Sequence, residues 1–361
     1  MLPRDINVLR AGLVALNSPG EVAIDCHDGG APFRFLLTQA AILPGRVTRF
    51  TGTPRLGERP HAALLEALRE ALGPAGLVIE EGAPWPLVVR SAPVFPQVTR
   101  FEVTGVESSQ FASSLLLGAA RVAFTSGRPC AVQVQGALTS EGYLELTRDW
   151  LRRAGFGLTE EGGLTTVSRA TSPAHLAVPG DWSSLTYLLA LAWKSGARVE
   201  RVDFGAAHPD REIVHQLESI GLTVSREALV SVTGAARGGL EIDAQLCPDA
   251  VPTLAAIAAV LTAPSVVRRV GILRHKESDR LALTRALLEV AGASSTLEGE
   301  VLTITPGPLH DFAFDAHDDH RMAMSSAVLA YLGGVRLTLT GREAVAKSFP
   351  GFWTELAKVT A

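Results

Sequence analysis

Cysteine is scarce in this chain and forms no pattern. Cys26, Cys130 and Cys247 are scattered and odd in number. Without a Cys-x-x-Cys pair or a zinc-type Cys/His spacing, neither a disulfide framework nor a metal site is expected. An excess of positive charge is also lacking: the formal net charge is −4 and no basic run occurs. Bulk affinity for nucleic acid is therefore not expected, and any positive potential must be local. No apolar run reaches transmembrane length without a charge, Gly or Pro interrupting it. The opening MLPRDINVLRAG lacks the apolar region of a signal peptide. The expectation is a cytoplasmic protein with no membrane partner.

What the chain does have is core-forming residues. It holds 361 residues, 47 % hydrophobic and only 19 % charged, enough for two domains around substantial cores. The stretch Asp318–Leu332 (DDHRMAMSSAVLAYL) sets the theme. A charged head, Asp318 to Arg321, precedes a body with almost no polar face, which reads as a helix buried on nearly all sides. The first turn of such a helix keeps unpaired N–H groups and a partial positive charge, so an arginine there makes the end a site for phosphate or carboxylate. Four more apolar runs carry polar or Gly-rich heads: Asp28 to Arg34, Ser108-Ser109-Gln110, Gly180 to Ser184, and Pro248-Asp249-Ala250.

Between these runs the pattern alternates strands with amphipathic helices that end at Gly73, Gly155, Gly221 and Gly292, placed as left-handed C′ residues. Strands are expected at EVAID, VTRFTG, LVIEE, LVVRS, VTRFEVTG, AVQVQG, ARVERVDF, LTVS, LVSVTG, VVRRVGIL, VLTITPG and VRLTLTG, and Thr53–Pro60 is expected to be a loop. The rhythm repeats every roughly 65–80 residues, the size of small βαβ-type modules. The expected architecture is α/β, in two domains: residues 1–172 and 173–361, crossing near Ser172-Pro173, with a cleft between them. The Asp5–Leu16 helix reads as the second half of a unit whose buried partner is expected ahead of Met1.

Five motifs stand out in order: Ser108-Ser109-Gln110-Phe111, Gly180-Asp181-Trp182-Ser183-Ser184, Lys276-Glu277-Ser278-Asp279-Arg280-Leu281, Asp319-His320-Arg321-Met322-Ala323-Met324 and Lys347-Ser348-Phe349-Pro350. In order and separation they resemble the 3-phosphoshikimate 1-carboxyvinyltransferase (EPSP synthase) family of enolpyruvyl transferases. The resemblance covers nearly the whole chain. It implies two domains of βαβαββ-like units around buried parallel helices. It also implies transfer of the enolpyruvyl group of phosphoenolpyruvate to the 5-hydroxyl of shikimate 3-phosphate, with release of phosphate and no metal or organic cofactor. A monomer is expected. The family's opening strand and PGSKS-type loop find no match here, in line with the unit count.

The resemblance assigns roles residue by residue. Ser108, Ser109, Gln110, Ser140, Tyr143, Asp249 and Lys276 match contacts to shikimate 3-phosphate. Gly30, Arg59, Gln110, Arg280, Arg321 and Lys347 match contacts to phosphoenolpyruvate, Gly30 as a glycine on which that substrate packs closely. Asp249, Glu277 and Lys347 match the catalytic groups, the two carboxylates moving protons. Arg34, after the Gly29-Gly30 loop, reads as a structural residue or as one that stands behind the substrate contacts. On the residues alone, the alternative reading of Ser108, Ser140 and Asp249 is as helix caps, and KESDR reads first as a solvated helix start. The competing expectation is a silent homologue that binds shikimate 3-phosphate or serves as a scaffold. Transfer to a UDP-sugar, a third possibility, fits KESDR and DHRMAM less well.

Overall fold

Short alternating strands, each followed by a run apolar all round, fold here into one repeated plan. The computed structural model describes residues 2–18, 20–82, 85–105, 108–169, 171 and 175–360. By contacts the chain divides into two units, Arg4–Ala177 and Val178–Ala361 together with Met1–Pro3. The expected crossing at Ser172-Pro173 lies outside the described residues.

The first unit runs α1 (Arg4–Leu16), β1 (Glu21–Asp25), α2 (Gly30–Ile42), β2 (Val47–Thr51), α3 (Pro54–Glu58), α4 (Ala62–Gly76), β3 (Leu77–Glu81) and β4 (Leu87–Ser91). It continues with β5 (Arg100–Thr104), α5 (Ser109–Ser126), β6 (Cys130–Gln135), α6 (Glu141–Arg153), β7 (Gly157–Glu161) and β8 (Leu164–Ser168). Two sheets result, in the orders β1-β2-β4-β3 and β5-β6-β8-β7. In each, the first two strands are parallel and the remaining pairings antiparallel. Parallel neighbours need a crossover, and the crossovers are the apolar runs α2 and α5. These two helices pack on each other. Gly118 permits the close approach, because a Cβ there would lie 2.5 Å from the Thr38 methyl group.

The second unit holds α7 (Trp182–Ser195), α8 (Glu212–Ser219), β9 (Thr223–Val224), β10 (Val232–Thr233), β11 (Glu241–Asp243), α9 (Val251–Ala258), β12 (Ser265–Arg268) and α10 (Arg280–Ala291). It closes with β13 (Ser294–Glu298), β14 (Val301–Thr305), β15 (Phe312–Asp315), α11 (His320–Gly333), β16 (Leu337–Thr340) and α12 (Phe352–Thr360). Its sheet β11-β12-β14-β13 repeats the plan, and β15-β16 form the parallel half of another copy. Its buried helix α11 packs against both α7 and α9. The βαβαββ unit is thus the real repeat.

Several expectations change in detail. Thr53–Pro60 is not all loop: Thr53 accepts from the Leu56 N–H (3.3 Å) and Pro54 opens the short helix α3, the arrangement proline favours at a first helical position. ARVERVDF forms only an isolated bridge, Val199 to Val230, because Arg201 turns left-handed at φ +63°. VVRRVGIL stops as a strand at Arg268, since Arg269 is left-handed and starts a 3-10 turn, Val270–His275. Strands β11 and β13 carry too little β-branched or aromatic content to be read from sequence, and β15, with Phe312 and Phe314 alternating inward, is only four residues long. The glycines at 73, 155, 221 and 292 all have the expected positive φ, from +66° to +102°.

Candidate active site

The head of α9 is the centre of a charge cluster in the second unit. Asp249 precedes Ala250, which occupies the cap position without any side-chain bond. The Asp249 carboxylate therefore does not cap the helix. It accepts instead from Arg280 Nη1 (2.9 Å) and Arg321 Nη2 (3.1 Å), with Lys276 Nζ at 3.4 Å. Arg321 also donates to the Asp249 carbonyl, at 3.1 Å. Arg280, only 1 % exposed at the start of α10, reaches three carboxylates at once. It donates to Asp249, to Glu277 Oε2 (2.6 Å) and to Asp319 Oδ2 (2.8 Å). Asp319 in turn caps α11, accepting from the Arg321 N–H (2.9 Å), and takes a bond from Ser278 Oγ (2.8 Å). Lys347 is 2 % exposed and closes the 3-10 turn Arg342–Lys347, which packs on α11.

Three cations (Lys276, Arg280 and Arg321) thus meet three carboxylates (Asp249, Glu277 and Asp319). Burial pushes Asp249 up, but Arg321, Lys276 and Arg280 outweigh it and hold the group well below the usual carboxylate range, against opposition from Glu277. Asp319 follows the same logic: burial raises it, while the charge and hydrogen bonds of Arg280 help bring the net shift down. Burial works against the Arg280 charge, and the three carboxylates more than restore it. His320 is pushed down to about 3, first by burial, so it is neutral at physiological pH. The cluster is balanced within itself, so an incoming anion must compete with the protein's own carboxylates for the same donors.

The first unit assembles its own set. Ser108 caps α5, accepting from the Gln110 N–H at 3.3 Å, and Ser109 is buried beside it. Arg34, on α2, donates to Gln110 Oε1 (2.6 Å) and reaches Ser108 Oγ at 3.5 Å. Arg59 follows α3, and its guanidinium lies over Gly30 at the start of α2; a Cβ on Gly30 would meet Nη1 at 2.6 Å. The open face of Gly30 therefore receives a protein cation in this structure. Ser140, before α6, is left-handed (φ +58°) and makes no cap bond. Its hydroxyl is buried and has no hydrogen-bond partner among the described residues, as a group kept for a ligand would be. Tyr143 lies one turn on, where its carbonyl accepts from Thr147 Oγ1 at 3.0 Å.

Contacts within each unit join Asp249, Lys276, Glu277, Arg280 and Arg321 in one cluster, Gly30 with Arg59, and Ser108 with Gln110. Sequence reasoning missed what Asp319 does beyond capping, and it missed His61. It also missed Asp210, which is buried, accepts from Ser183 Oγ at 2.5 Å and is raised above the ordinary range by burial. Only the spacing of Asp319 before an apolar helix was legible. Among the described residues, no three His, Cys, Asp or Glu side chains are grouped as metal ligands, and no helix is long and apolar enough to cross a membrane.

The architecture has solved counterparts. EPSP synthase from Acinetobacter baumannii matches with a TM-score of 0.69 at 23 % identity, over 94 % of this chain and 79 % of that one. The enolpyruvyl transferase NikO from Streptomyces tendae matches with a TM-score of 0.63 at 17 % identity, over 91 % and 76 %. The fold is that of the enolpyruvyl transferases. In sequence, the chain is 36 % identical over 346 residues to the 3-phosphoshikimate 1-carboxyvinyltransferase of Methanoculleus marisnigri, covering 93 % of this chain and 79 % of that protein. It is also 36 % identical over 345 residues to the enzyme of that name from Methanopyrus kandleri, covering 94 % and 78 %. The family model for EPSP synthase (3-phosphoshikimate 1-carboxyvinyltransferase) matches residues 5–356, and the chain belongs to that family.

Proposed function

We propose that this protein transfers the enolpyruvyl group of phosphoenolpyruvate to the 5-hydroxyl of shikimate 3-phosphate, releasing phosphate, as a step of aromatic amino acid biosynthesis. The observation that carries the reading is the Asp249–Glu277–Arg280–Arg321 cluster at the heads of three helices. Glu277, entering the cycle as the carboxylic acid, protonates the methylene carbon of phosphoenolpyruvate and leaves a cation-like C2. The 5-hydroxyl oxygen attacks that carbon, and ionised Asp249 takes its proton. Glu277, now a carboxylate, takes a methyl proton back while phosphate leaves with the C–O electron pair and the proton held by Asp249, so the vinyl ether remains and both groups are restored. Arg59, Arg280, Arg321 and Lys347 hold phosphoenolpyruvate, and Ser108, Ser109, Ser140, Tyr143 and Lys276 hold shikimate 3-phosphate. Gln110 contacts both. The reading requires both units to act on one substrate pair, and takes the protein as a cytoplasmic monomer needing no cofactor.

The test is phosphate release from the purified chain with both substrates, with the vinyl protons of the product followed by NMR. Release that depends on both substrates supports the reading. At high enzyme concentration, calorimetric binding of shikimate 3-phosphate with no release would instead identify a silent binding protein.

A smaller change probes the Gly30 cradle. Gly30→Ala must push the Arg59 guanidinium aside, since the new Cβ would sit 2.6 Å from Nη1. A flexible side-chain end yields cheaply, so the urea midpoint is expected to hold. Arg59 would lose its place against the anion, and the KM for phosphoenolpyruvate is expected to rise by about tenfold or more, the worth of a displaced charge-assisted bond. An unchanged KM would remove Gly30 and Arg59 from that subsite.

A further inference from the structure

We propose that Arg34 is a positioning residue that fixes the Gln110 carboxamide so that it meets substrate as a hydrogen-bond donor. The inference rests on the enolpyruvyl-transfer reading above and says what Arg34 does there: it orients one named amide.

Arg34 is 2 % exposed, an unusual place for an arginine unless every donor has a job. Its three nitrogens all point at protein acceptors. Nη1 donates to Gln110 Oε1 at 2.6 Å and lies 3.5 Å from Ser108 Oγ, at the limit of a bond. Nη2 donates to the Pro60 carbonyl at 2.9 Å. Nε points at His61 Nδ1, 3.4 Å away. Below the plane, the Phe111 ring centroid lies 4.9 Å from Cζ, so packing holds the fork flat.

The partners explain why this is more than a core contact. Pro60 follows Arg59, Ser108 and Gln110 open α5, and Arg34 shares α2 with Gly30. One guanidinium therefore ties together three segments that carry candidate substrate contacts. His61 completes the anchor: its Nε2 donates to the Leu56 carbonyl at 2.8 Å, which leaves Nδ1 as an acceptor for Arg34. Burial, then the charge of Arg34, pushes His61 down to about 3, so the ring stays neutral and keeps that tautomer across the working pH range.

The chemical consequence lies in the amide. A carboxamide has one accepting and one donating end, and which faces a ligand depends on the network around it. Arg34 has claimed the oxygen of Gln110. The end left for a ligand is Nε2–H2, a donor, which suits phosphate or carboxylate. A flipped amide would present its oxygen to an anion and repel it. Because its own nitrogens are committed to protein acceptors, Arg34 acts through Gln110 and not by touching substrate.

The experiment is a double-mutant cycle in the full chain. The rate of phosphate release with both substrates is measured for wild type, Arg34→Lys, Gln110→Ala and the double variant, with the urea midpoint of each. Lysine keeps the charge but not the fork, so kcat/KM is expected to fall about 10–100-fold, the worth of one misplaced charge-assisted contact. In the double variant the two losses should not multiply. Gln110→Glu is the second arm: Arg34 would still hold one oxygen and the fold would stand, but an oxygen would face the anion. Its kcat/KM is expected to fall below that of Gln110→Ala. Wild-type kcat/KM in folded Arg34→Lys, losses that multiply, or Gln110→Glu matching or exceeding Gln110→Ala would each overturn the proposal. Absence of turnover in the wild type would instead strike the enolpyruvyl-transfer reading itself.

Discussion

Replacing Arg280 with leucine is expected to cost about 3–5 kcal/mol of stability near neutral pH and to abolish turnover, the magnitude seen when a buried ion pair loses one partner. The reason is local. Arg280 is 1 % exposed and donates to Asp249, Glu277 and Asp319, the last equally buried. Leucine fills some of the volume but leaves the carboxylates without their shared cation. Asp319 suffers most, because Arg280 is the largest influence holding its ionised form against burial.

The pH dependence has a definite sign. In the wild type, Asp319 and Asp249 sit below their unfolded values, so their stabilisation is present above about pH 4 and is lost as pH falls through the folded pKa. Without Arg280, burial dominates at Asp319 and its folded pKa moves above the unfolded one. The deficit of the variant is then full at pH 7.5 and shrinks as the pH falls and Asp319 binds a proton. Urea midpoints for wild type and Arg280→Leu at pH 7.5 and pH 5 measure this. A variant within about 1 kcal/mol of wild type at pH 7.5 would mean the carboxylates find other partners.

Replacing Asp249 with asparagine is expected to lower kcat by about 10²–10⁴-fold, the range for removal of a general base or acid. The substitution is nearly isosteric, so the loss must come from charge. Arg321, Lys276 and Arg280 keep Asp249 ionised, so it has room for the departing 5-hydroxyl proton, and its proton affinity rises as bound substrate anions draw those cations off. Asparagine can accept a hydrogen bond from Arg280 or Arg321 but cannot take that proton. A single turnover with both substrates saturating isolates the chemical step. Because part of the Asp249 side chain reaches solvent, 20 % of it by area, the fold should tolerate the change, and the urea midpoint serves as the control. A kcat within about threefold of wild type would remove Asp249 from the proton path and leave Glu277 and Lys347 as the remaining candidates.

The architecture was largely legible because its signals are local. Apolar runs at Phe33–Ile42, Phe111–Ala123 and Met322–Leu332 are buried all round, and the structure makes each a central helix. Glycines at 73, 155, 221 and 292 end or follow amphipathic helices with positive φ, as their spacing indicated. The losses came where single residues reverse the chain. Arg201 and Arg269 are left-handed non-glycine residues, and nothing in ARVERVDF or VVRRVGIL marks either as a stopping point. The start of α11 shifted for the same reason: Asp318 is left-handed and Asp319 is the cap.

By itself, then, the sequence determined the longer helices, the repeat and the identity of the groups at the helix heads, since periodicity and capping depend on neighbours a few residues away. Only the tertiary structure decided which charges meet. Arg280 finds Asp319 across 39 residues, Arg321 finds Asp249 across 72, and Arg34 finds Gln110 across 76. Those partnerships turn a capping aspartate into the support of a buried arginine, and a core arginine into the group that orients an amide. They arise from the packing of helix on helix, which brings charged heads together at distances no local pattern encodes.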